Sequence, residues 1–282
     1  MTKNPKNTIA FQGAPGAHSD LACRQAYPYM DTLPCASFED VFEAVDGKKA
    51  GLGLIPIENS QAGRVAEIHN LLPDTKLHIV GEYVQKIHHH LLAPKGATLK
   101  TIKTVYSHPQ ALMQCRNNLR ELGIETEAYS NTALAAKHVA EWADKSKAAL
   151  ASDLAATLYG LETVKQNMED SKDNTTLFIA ISKEAYHPDP KDGPVITTLL
   201  FTIRNIPAGL YKALGGFASN GVNLLKLESY IPGGKKSDSA QFFVSFYGHP
   251  EERSVQLALE ELGFFTKNVK VLGVYKADKS RI

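Results

Sequence analysis

The chain has 282 residues, 43% of them hydrophobic and 22% charged, which is enough apolar material for about two domains. Its 31 Lys and Arg are balanced by 30 Asp and Glu, and the net charge of +1 argues against a nucleic-acid partner. No run approaches the ~20 apolar residues of a membrane span, and no apolar region follows Met1–Asn7, so we expect a soluble cytoplasmic protein with no membrane partner. Cys23, Cys35 and Cys115 lack CxxC spacing and indicate reduced thiols.

Short apolar runs alternate with helical patterns from Thr8 to about Ser182, as in a parallel sheet flanked by helices. The predicted strands are Thr8–Gly13, Leu52–Ile57, Thr101–Ser107, Ala148–Ser152 and Thr175–Ser182. The predicted helices are Ser19–Tyr27, Phe38–Gly47, Pro109–Leu122, Ala133–Ala143 and Leu154–Tyr159, with Ser19, Ser107, Thr132 and Asp153 as caps. The alternation occurs in two successive blocks, which predicts two lobes with a cleft between them.

The segment Tyr186–Pro194 is rich in proline and glycine and predicts a linker. After it, the predicted order of elements is β-α-β-β-α-β, which is typical of a ferredoxin-like domain. Its strands are Thr197–Arg204, Val222–Ile231, Gln241–Tyr247 and Val269–Lys276, with a hairpin loop after Ile231, and its helices are Ala208–Ser219 and Glu251–Gly263.

A glycine-containing loop, Gly13–Ser19, lies between the first predicted strand and helix. Glycines such as Gly16 let the backbone approach a ligand, and free N–H groups at a helix start favour an anion. The alternative is a tight turn in which Ser19 caps the helix. The loop is not a phosphate-binding Walker loop, because no GK[ST] follows.

A polar triplet, Glu58, Asn59 and Ser60, comes directly after a buried strand. Ligands of open α/β sheets bind beyond the carboxyl ends of the strands, so the triplet predicts a binding site. Gly63 and Arg64 follow and add flexibility and a partner for a carboxylate. The alternative is that Glu58 and Asn59 cap the next helix.

The histidines give weaker signals. Ser107 and His108 stand at a predicted helix start, where a lone histidine is more often a capping or packing residue than a general base. A metal site at His88, His89 and His90 is disfavoured, because His89 would point away from the other two and no carboxylate or cysteine lies at ligand spacing. We therefore expect no metal.

The last strand of the first region begins with Asn174, Thr175 and Thr176. Threonine is common in strands for its β propensity, so this pattern alone assigns no role to either hydroxyl. No Ser–His–Asp set, nucleophilic cysteine or carboxylate pair is evident elsewhere in the sequence.

Taken together, these motifs resemble the prephenate dehydratase family over nearly the whole chain. They are GxxGxxS at Gly13, Gly16 and Ser19, IPIENS with Gly63 and Val65, IHHHLL, SHPQALxQC at Ser107–Cys115, the helix start at Asn131, AALASDLAATLYGL at Ala148–Leu161, and NTTLF at Asn174–Phe178. The resemblance implies α/β architecture: a bilobed, periplasmic-binding-protein-like catalytic domain and a ferredoxin-like ACT regulatory domain. The expected bounds are 7–185 for the first, with lobes of roughly 7–85 plus 170–185 and 86–169, and 195–278 for the second.

The family's reaction is the decarboxylating dehydration of prephenate to phenylpyruvate in L-phenylalanine biosynthesis, carried out by a carbon–oxygen lyase without a cofactor. The resemblance implies the catalytic residues Thr176, Glu58, Asn59 and Ser60. It implies the substrate-binding residues Gly16, Ser19, Gly63, Arg64, Asn174, Thr175 and Phe178.

The resemblance also implies an effector, phenylalanine, bound by the ACT domain of a homodimer or homotetramer. The family's Gly-Ala-Leu motif has Ala208 and Gly209 in swapped order here, and its Glu-Ser-Arg-Pro motif ends in Tyr230 and Ile231. The implied effector-binding residues are Gly209, Leu210, Asn223, Leu224, Glu228 and Ser229. The alternative is that this domain only dimerises the chain.

One departure concerns the catalytic domain, because Leu177 stands where the family has arginine. Thr176 and Leu177 face opposite sides of a strand, so the change need not move the hydroxyl, and Arg64 is the remaining candidate partner for a carboxylate. Two alternative functions stay open. One is an arogenate dehydratase, and the other is a non-catalytic phenylalanine sensor.

Overall fold

A computed structural model describes residues 4–230 and 240–281. The chain forms two compact units. The first comprises the chain up to Val65 together with Val84–Phe178, and the second comprises Ala66–Tyr83 together with the chain from Ile179 onward. In the described residues, no helix is both long enough and apolar enough to cross a membrane.

The strands that precede the predicted linker are β1 Thr8–Gln12, β2 Asp31–Cys35, β3 Leu52–Asn59, β4 Gly63–Arg64, β5 His78–Lys86, β6 His90–Ala93, β7 Thr104–Ser107, β8 Glu125–Ala128, β9 Lys147–Ala151, β10 Glu162–Lys165 and β11 Thr175–Ser182. The helices are α1 His18–Ala26, α2 Phe38–Asp46, α3 Ala66–Leu71, α4 Pro109–Gln114, α5 Arg116–Glu121, α6 Thr132–Trp142 and α7 Asp153–Tyr159.

These strands form two separate sheets, so the predicted α/β architecture with two lobes is confirmed. One sheet has the order β2-β1-β3-β11-β5 with β4 added beside β3, and the other has the order β10-β6-β9-β7-β8. β1 is parallel to β2 and β3, and β7 is parallel to β8 and β9, whereas β4 and β6 pair antiparallel with their neighbours. Both sheets are therefore mixed, because tight reversals such as β3 to β4 need no helical crossover.

Two of the strands that the apolar pattern did not predict, β2 and β8, are edge strands. β2 and β8 each lie at one end of a sheet. β2 contains Pro34 and has no buried residue, and β8 (ETEA) is exposed throughout. Proline and charged residues are typical of sheet edges, where they discourage pairing with another chain, and they remove the hydrophobic signal by which a strand is predicted.

Helix caps differ from the predicted ones by a residue or more. His108, Asn131 and Ser152 cap α4, α6 and α7, so the predicted caps at Ser107, Thr132 and Asp153 were wrong. Each true cap has extended backbone angles and accepts a hydrogen bond from an N–H of the first turn, which its polar neighbour cannot do from its own position. The prediction of His108 as a capping residue is confirmed by a 3.2 Å bond from the N–H of Gln110 to its Nδ1.

Two further helix predictions need correction. Ser19 is not a cap, because α1 already begins at His18. The N-cap of α1 is Ala17, which makes no side-chain hydrogen bond. The predicted helix Pro109–Leu122 is divided into α4 and α5 at Cys115, whose φ of −113° and ψ of 13° depart from helical values.

The second lobe's sheet is covered on both faces. Alternate residues of its strands belong to two apolar clusters, as expected for buried strands whose side chains point to opposite faces. One cluster contains Leu91, Ala148, Leu150, Val105 and Leu119, and the other contains Leu92, Ala149, Ala151, Ala136 and Ala155.

The remaining elements are β12 Val195–Ile203, α8 Gly209–Ser219, β13 Leu224–Tyr230, β14 Gln241–Tyr247, α9 Arg253–Phe265 and β15 Thr266–Lys276. Their antiparallel sheet has the order β13-β14-β12-β15, so the predicted ferredoxin-like fold is confirmed. Residues of α8 and α9 share one apolar cluster with Leu199, Phe201 and Val244 of the sheet. Ile231 and the predicted hairpin loop lie outside the described residues.

The same unit includes the chain segment 66–83, which contains α3 and most of β5. Lys270 of β15 donates hydrogen bonds from Nζ to the backbone oxygens of Leu72, Pro73 and Thr75. The ring of His69 on α3 packs edge-on against Phe243, with 5.3 Å between the ring centroids. Phe243 lies on the sheet face opposite the cluster of α8 and α9, because its neighbour Val244 belongs to that cluster.

Candidate active site

The polar triplet predicted from the sequence lies where β3 ends. Glu58 and Asn59 are the last two residues of the strand rather than the first after it, and the chain then turns into β4. The Asn59 Oδ1 accepts hydrogen bonds from the backbone N–H groups of Gln61 at 3.1 Å and Ala62 at 2.9 Å. Asn59 therefore stabilises the turn from β3 to β4, and the alternative that it caps a following helix was wrong.

The other end of the Asn59 amide reaches the start of β11. Its Nδ2 lies 2.8 Å from the Oδ1 of Asn174, 3.0 Å from the Oγ1 of Thr176 and 3.1 Å from the backbone oxygen of Thr175. All three atoms are acceptors in these bonds. One side chain therefore joins the ends of two strands that neighbour each other in the sheet but are more than a hundred residues apart in sequence.

Gln114, the last residue of α4, extends this polar group. Its Oε1 accepts from the Nδ2 of Asn174 at 3.2 Å, and its Nε2 lies 3.5 Å from the Oδ1 of Asn59. Asn59, Asn174 and Gln114 are 9%, 1% and 9% exposed, so their bonds are shielded from water. We call these three side chains the amide chain.

Two histidines continue from the amide chain. The Nε2 of His89 lies 2.9 Å from the Oε1 of Gln114, and its Nδ1 lies 3.4 Å from the Nε2 of His18. The rings of His18 and His89 are nearly perpendicular, with centroids 5.1 Å apart. Burial lowers the pKa of both imidazoles, most strongly that of His18. Both rings are therefore neutral at neutral pH.

Glu169 holds the backbone beside these rings. Its carboxylate accepts from the N–H of His89 at 2.9 Å and pairs with the Nδ1 of His88 at 2.7 Å. Burial disfavours its charge, but the hydrogen bonds from His88 and the backbone outweigh this and hold the pKa of Glu169 below its usual value. No carboxylate stands near the histidines in the sequence, because Glu169 is eighty residues away along the chain.

Thr176 is 8% exposed, and its hydroxyl lies at the end of the amide chain. Phe178 lies on the same side of β11 by strand alternation and is 1% exposed, so it contributes to the core below the hydroxyl. Leu177 is half-buried on the opposite side. The roles of Thr176 and Phe178 toward substrate stay predictions.

Ser60 joins β3 to β11 by a second route. Its hydroxyl donates to the backbone oxygen of Asp173 at 2.8 Å and accepts from the N–H of Thr175 at 2.9 Å. Glu58 is directly across from Arg64 in the pairing of β3 with β4, and Gly63, with a φ of 78°, precedes that arginine. Ser60, Gly63 and Arg64 are exposed, so they lie at the rim of the site.

The Gly13–Ser19 loop contacts α7. The oxygen of Gly16 accepts from the hydroxyl of Ser152 at 2.6 Å, and its N–H donates to the carboxylate of Asp20 at 2.9 Å. A Cβ on Gly16 would lie 3.0 Å from the Cα of Ala155, and its φ is 86°, so both space and backbone angle favour glycine. Ser19 lies in the first turn of α1, next to His18.

The predicted effector residues lie on two faces of the ferredoxin-like sheet. Gly209 and Leu210 begin α8, and Leu224 begins β13 after Asn223, on the side covered by the helices. Glu228 pairs in the strand register with Phe243 and therefore faces the other side, where it lies 2.6 Å from Lys226 and 3.3 Å from His69. Ser229 follows it on the helix side and is exposed. Strand alternation thus separates Glu228 from Leu224 and Ser229.

Four residues of this site were not among the predicted site residues: Gln114, His89, His18 and Glu169. Gln114 lies within the SHPQALxQC motif and His89 within IHHHLL, so the motifs contained the signal, whereas nothing in the sequence marks Glu169. Within residues 4–230 and 240–281, no group of three or more His, Cys, Asp or Glu side chains could hold a metal ion.

Comparison with known proteins gives consistent matches. The prephenate dehydratase family matches residues 9–186. The chain is 47% identical over 279 residues to a bifunctional N-acyl-homoserine lactone acylase/prephenate dehydratase of Komagataeibacter europaeus, covering 99% of each. It is 38% identical over 291 residues to arogenate dehydratase 2 of Petunia hybrida, covering 98% of this chain and 73% of that one.

Among solved structures, the chain is similar to a prephenate dehydratase from Arthrobacter aurescens in complex with L-Phe. The identity is 28%, the TM-score is 0.86, and the match covers 95% of this chain and 89% of that one. The similarity therefore extends over both the two-lobed region and the ferredoxin-like fold.

Proposed function

The chain belongs to the prephenate dehydratase family, and from that premise we propose that it converts prephenate to phenylpyruvate. The observation that carries this proposal is the buried hydroxyl of Thr176, held by the amide of Asn59 at 3.0 Å at the end of a chain of buried polar groups. A hydroxyl in such surroundings suits a leaving group that needs a hydrogen-bond donor in a site shielded from water.

The proposed reaction takes up one proton. The bond from the ring to its carboxylate breaks and releases CO2, and the electron pair forms a ring double bond as the ring becomes aromatic. The bond from the ring to its hydroxyl breaks, and the hydroxide leaves as water with the added proton. The driving force is aromatisation, so the enzyme needs to orient a dianion and assist one leaving group.

In this proposal, Thr176 donates the hydrogen bond to the departing hydroxyl, and its help grows as charge develops on that oxygen. Asn59 fixes the position of the hydroxyl, and Asn174 and Thr175 contribute to the same strand end. Glu58, Ser60, Gly63 and Arg64 orient the substrate at the rim. The loop residues Gly16 and Ser19 do the same, and Phe178 supports the site from below.

We further propose that the catalytic domain spans residues 7–185 and an ACT domain spans 195–278, in a homodimer or homotetramer of the cytoplasm. Phenylalanine is the proposed effector, supported by the solved relative that binds L-Phe. Its proposed contacts are Gly209, Leu210, Asn223, Leu224 and Ser229. Glu228 would contribute only through rearrangement of its pairing with Lys226 and His69. Regulation requires that phenylalanine bind two states of the protein with different affinity.

Two alternative functions remain, an arogenate dehydratase with the same chemistry and a phenylalanine sensor without catalytic activity. Arogenate differs from prephenate in carrying an amino group instead of a keto group, and the relative from Petunia hybrida is named an arogenate dehydratase. A phenylalanine sensor would keep the fold without turnover, and Leu177 is the residue that favours this alternative. The retained Asn59 and Thr176 favour an enzyme.

A second candidate function is hydrolysis of N-acyl-homoserine lactones. The observation that favours it is the 47% identity, over nearly the full length, to a relative named as both an acylase and a prephenate dehydratase. In this reaction, water adds to the amide carbon and the amide bond breaks, giving a carboxylate and the amine of homoserine lactone. The two activities can be assayed separately on one preparation.

The test is product formation by the purified full-length protein, without added metal, measured against the spontaneous rate. We expect phenylpyruvate from prephenate at a rate that phenylalanine lowers, and a lower kcat/KM for arogenate. An equal or higher kcat/KM for arogenate would mean that arogenate, and not prephenate, is the preferred substrate. If neither prephenate nor arogenate is turned over and phenylalanine still raises the Tm, the protein is a phenylalanine sensor and not an enzyme. Release of homoserine lactone from N-acyl-homoserine lactones decides the second candidate.

A further inference from the structure

The direction of every hydrogen bond around Thr176 can be assigned from one starting point. Backbone N–H groups only donate, so the amide atom of Asn59 that faces the N–H groups of Gln61 and Ala62 must be the oxygen, Oδ1. The other end of that amide is then the NH2 group. It follows that the Oγ1 of Thr176 accepts from Asn59, and the hydroxyl proton of Thr176 is directed elsewhere.

The donor and acceptor of each hydrogen bond in the amide chain follow in the same way. The Oδ1 of Asn174 accepts from Asn59, so the NH2 group of Asn174 faces Gln114 and donates to its Oε1. Since that Oε1 is an acceptor, the ring nitrogen of His89 at 2.9 Å from it must carry a proton. His89 is therefore the Nε2–H tautomer.

The assignment ends at His18. A neutral imidazole has one N–H, so the Nδ1 of His89 is an acceptor, and the Nε2 of His18 at 3.4 Å must donate to it. The remaining nitrogen of His18, Nδ1, is buried and has no hydrogen-bond partner among residues 4–230 and 240–281. The hydrogen bonds assigned in this way therefore end at His18, and the network orients the groups that it joins.

We propose that His89 and His18 are positioning residues, which act as Nε2–H tautomers and hold the amide chain in the one orientation that leaves the Thr176 proton available to substrate. This inference rests on the proposed function for its catalytic consequence, whereas the tautomers are a property of the protein alone. Their neighbours are consistent with it, because Glu169 takes the backbone N–H of His89 and the Nδ1 of His88 and leaves both ring nitrogens of His89 to the network.

The first test reads the tautomers directly, by two-bond 15N–1H correlation spectra of the full-length protein at neutral pH. His18 and His89 are assigned by loss of their signals in His18→Gln and His89→Gln. We expect an unprotonated Nδ1 and a protonated Nε2 on both rings. A protonated Nδ1 on His89, or a charged ring, would overturn the proposal.

The second test reverses the network. Asn174→Asp keeps the shape but replaces the NH2 group that faces Gln114 with an acceptor, so the amide of Gln114 must turn over and His89 must become the Nδ1–H tautomer. The matched control is Asn131→Asp, because aspartate caps α6 as well as asparagine does. We expect the tautomer of His89 to change in the first variant only. An unchanged tautomer in Asn174→Asp would mean that the bonds are not coupled in this way.

The third test concerns turnover. His89→Gln keeps an N–H at the position of Nε2, and His89→Met removes it. By analogy with residues that orient catalytic groups, we expect His89→Met to lower kcat by about 10–100-fold with little change in KM, and His89→Gln to retain most of the activity. Equal losses in the two variants at equal Tm would overturn the positioning role.

These tests separate the inference from the proposed function. If the wild-type protein forms no phenylpyruvate but has the expected tautomers, the proposed function is wrong and the oriented network stands. If the protein turns over prephenate but His89 has a different tautomer, the proposed function stands and the positioning role of the histidines is wrong.

Discussion

Among the side chains of residues 4–230 and 240–281, the hydroxyl of Thr176 has one hydrogen-bond partner, the amide of Asn59, and it accepts in that bond. We expect Thr176→Val, which keeps the shape and removes the hydroxyl, to lower kcat by about 10²–10⁴, the range for general acid catalysis. The measurement is phenylpyruvate formation under saturating prephenate. Thr202→Val, on a strand of the ferredoxin-like fold, is the control and should retain activity. A loss of less than about tenfold would remove Thr176 from the mechanism.

The buried histidines should make stability depend on pH. Burial lowers the pKa of His18, His89 and His90, whereas in the unfolded chain they titrate near 6.5. Below that pH, the unfolded state binds protons that the native state does not, so the free energy of unfolding falls as the pH falls.

Urea unfolding between about pH 7.5 and 5.5 measures this dependence above the range in which Glu169 titrates, because the pKa of that carboxyl group is lowered. We expect a shallower decline for His18→Gln, because that variant removes the imidazole with the most strongly lowered pKa. The same slope in both proteins would mean that His18 is not the source of the dependence.

At the scale of elements, α8 and α9 approach each other at a glycine. A Cβ on Gly216 would lie 2.7 Å from the Cβ of Glu261 and 3.0 Å from the backbone oxygen of Ala258, whereas a Cβ on Gly215 would meet nothing within 4 Å. We expect Gly216→Ala to destabilise the protein by about 1–3 kcal/mol through overpacking. Gly215→Ala, in the same helix, should be neutral or stabilising by up to about 1 kcal/mol. Urea unfolding of the two variants measures the difference, and equal effects would contradict the close approach.

The cap of α7 has a second task that the cap of α2 lacks. Ser152 accepts from the N–H of Ala155 at 3.1 Å and also donates to the oxygen of Gly16, and it is 1% exposed. Within the described part of the chain, the side chain of Ser37 makes only the capping interaction with Asp40. We expect Ser152→Ala to cost about 2–3 kcal/mol, because a cap and a buried hydrogen bond are lost, and Ser37→Ala about 1 kcal/mol. Thermal unfolding ranks the two, and a smaller loss for Ser152→Ala would show that its bond to Gly16 contributes little.

At the scale of the whole molecule, the ferredoxin-like fold is completed by a segment from much earlier in the chain. A Cβ on Gly273 of β15 would overlap the backbone oxygen of Ile79, which cannot move as a flexible side chain can. We expect Gly273→Ala to cost about 3 kcal/mol or more and to reduce amide-exchange protection in residues 66–83. The control is Gly263→Ala on α9, where a Cβ meets nothing within 4 Å. Unchanged protection in Gly273→Ala would mean that the segment does not pack on β15.

Much of the architecture followed from local patterns. Continuous apolar runs predicted β1, β3 and β11, and the order of elements after the linker predicted the ferredoxin-like fold. Edge strands such as β2 and β8 were missed because proline and charge remove the periodic signal. Caps were misplaced by a residue because two adjacent polar residues are equivalent in sequence and differ only in backbone angles.

The sequence by itself determined the family, the two-lobed and ferredoxin-like folds, and the candidates Asn59, Asn174 and Thr176, because motifs and hydrophobic periodicity are local properties. Only the tertiary structure decided that Gln114, His89 and His18 join these residues, that Glu169 holds the histidine backbone, and that Glu228 faces away from Leu224 and Ser229. These facts depend on which strands neighbour each other and on the face to which each side chain points. Hydrogen bonds between distant residues are directional and short, and no pattern along the chain encodes them.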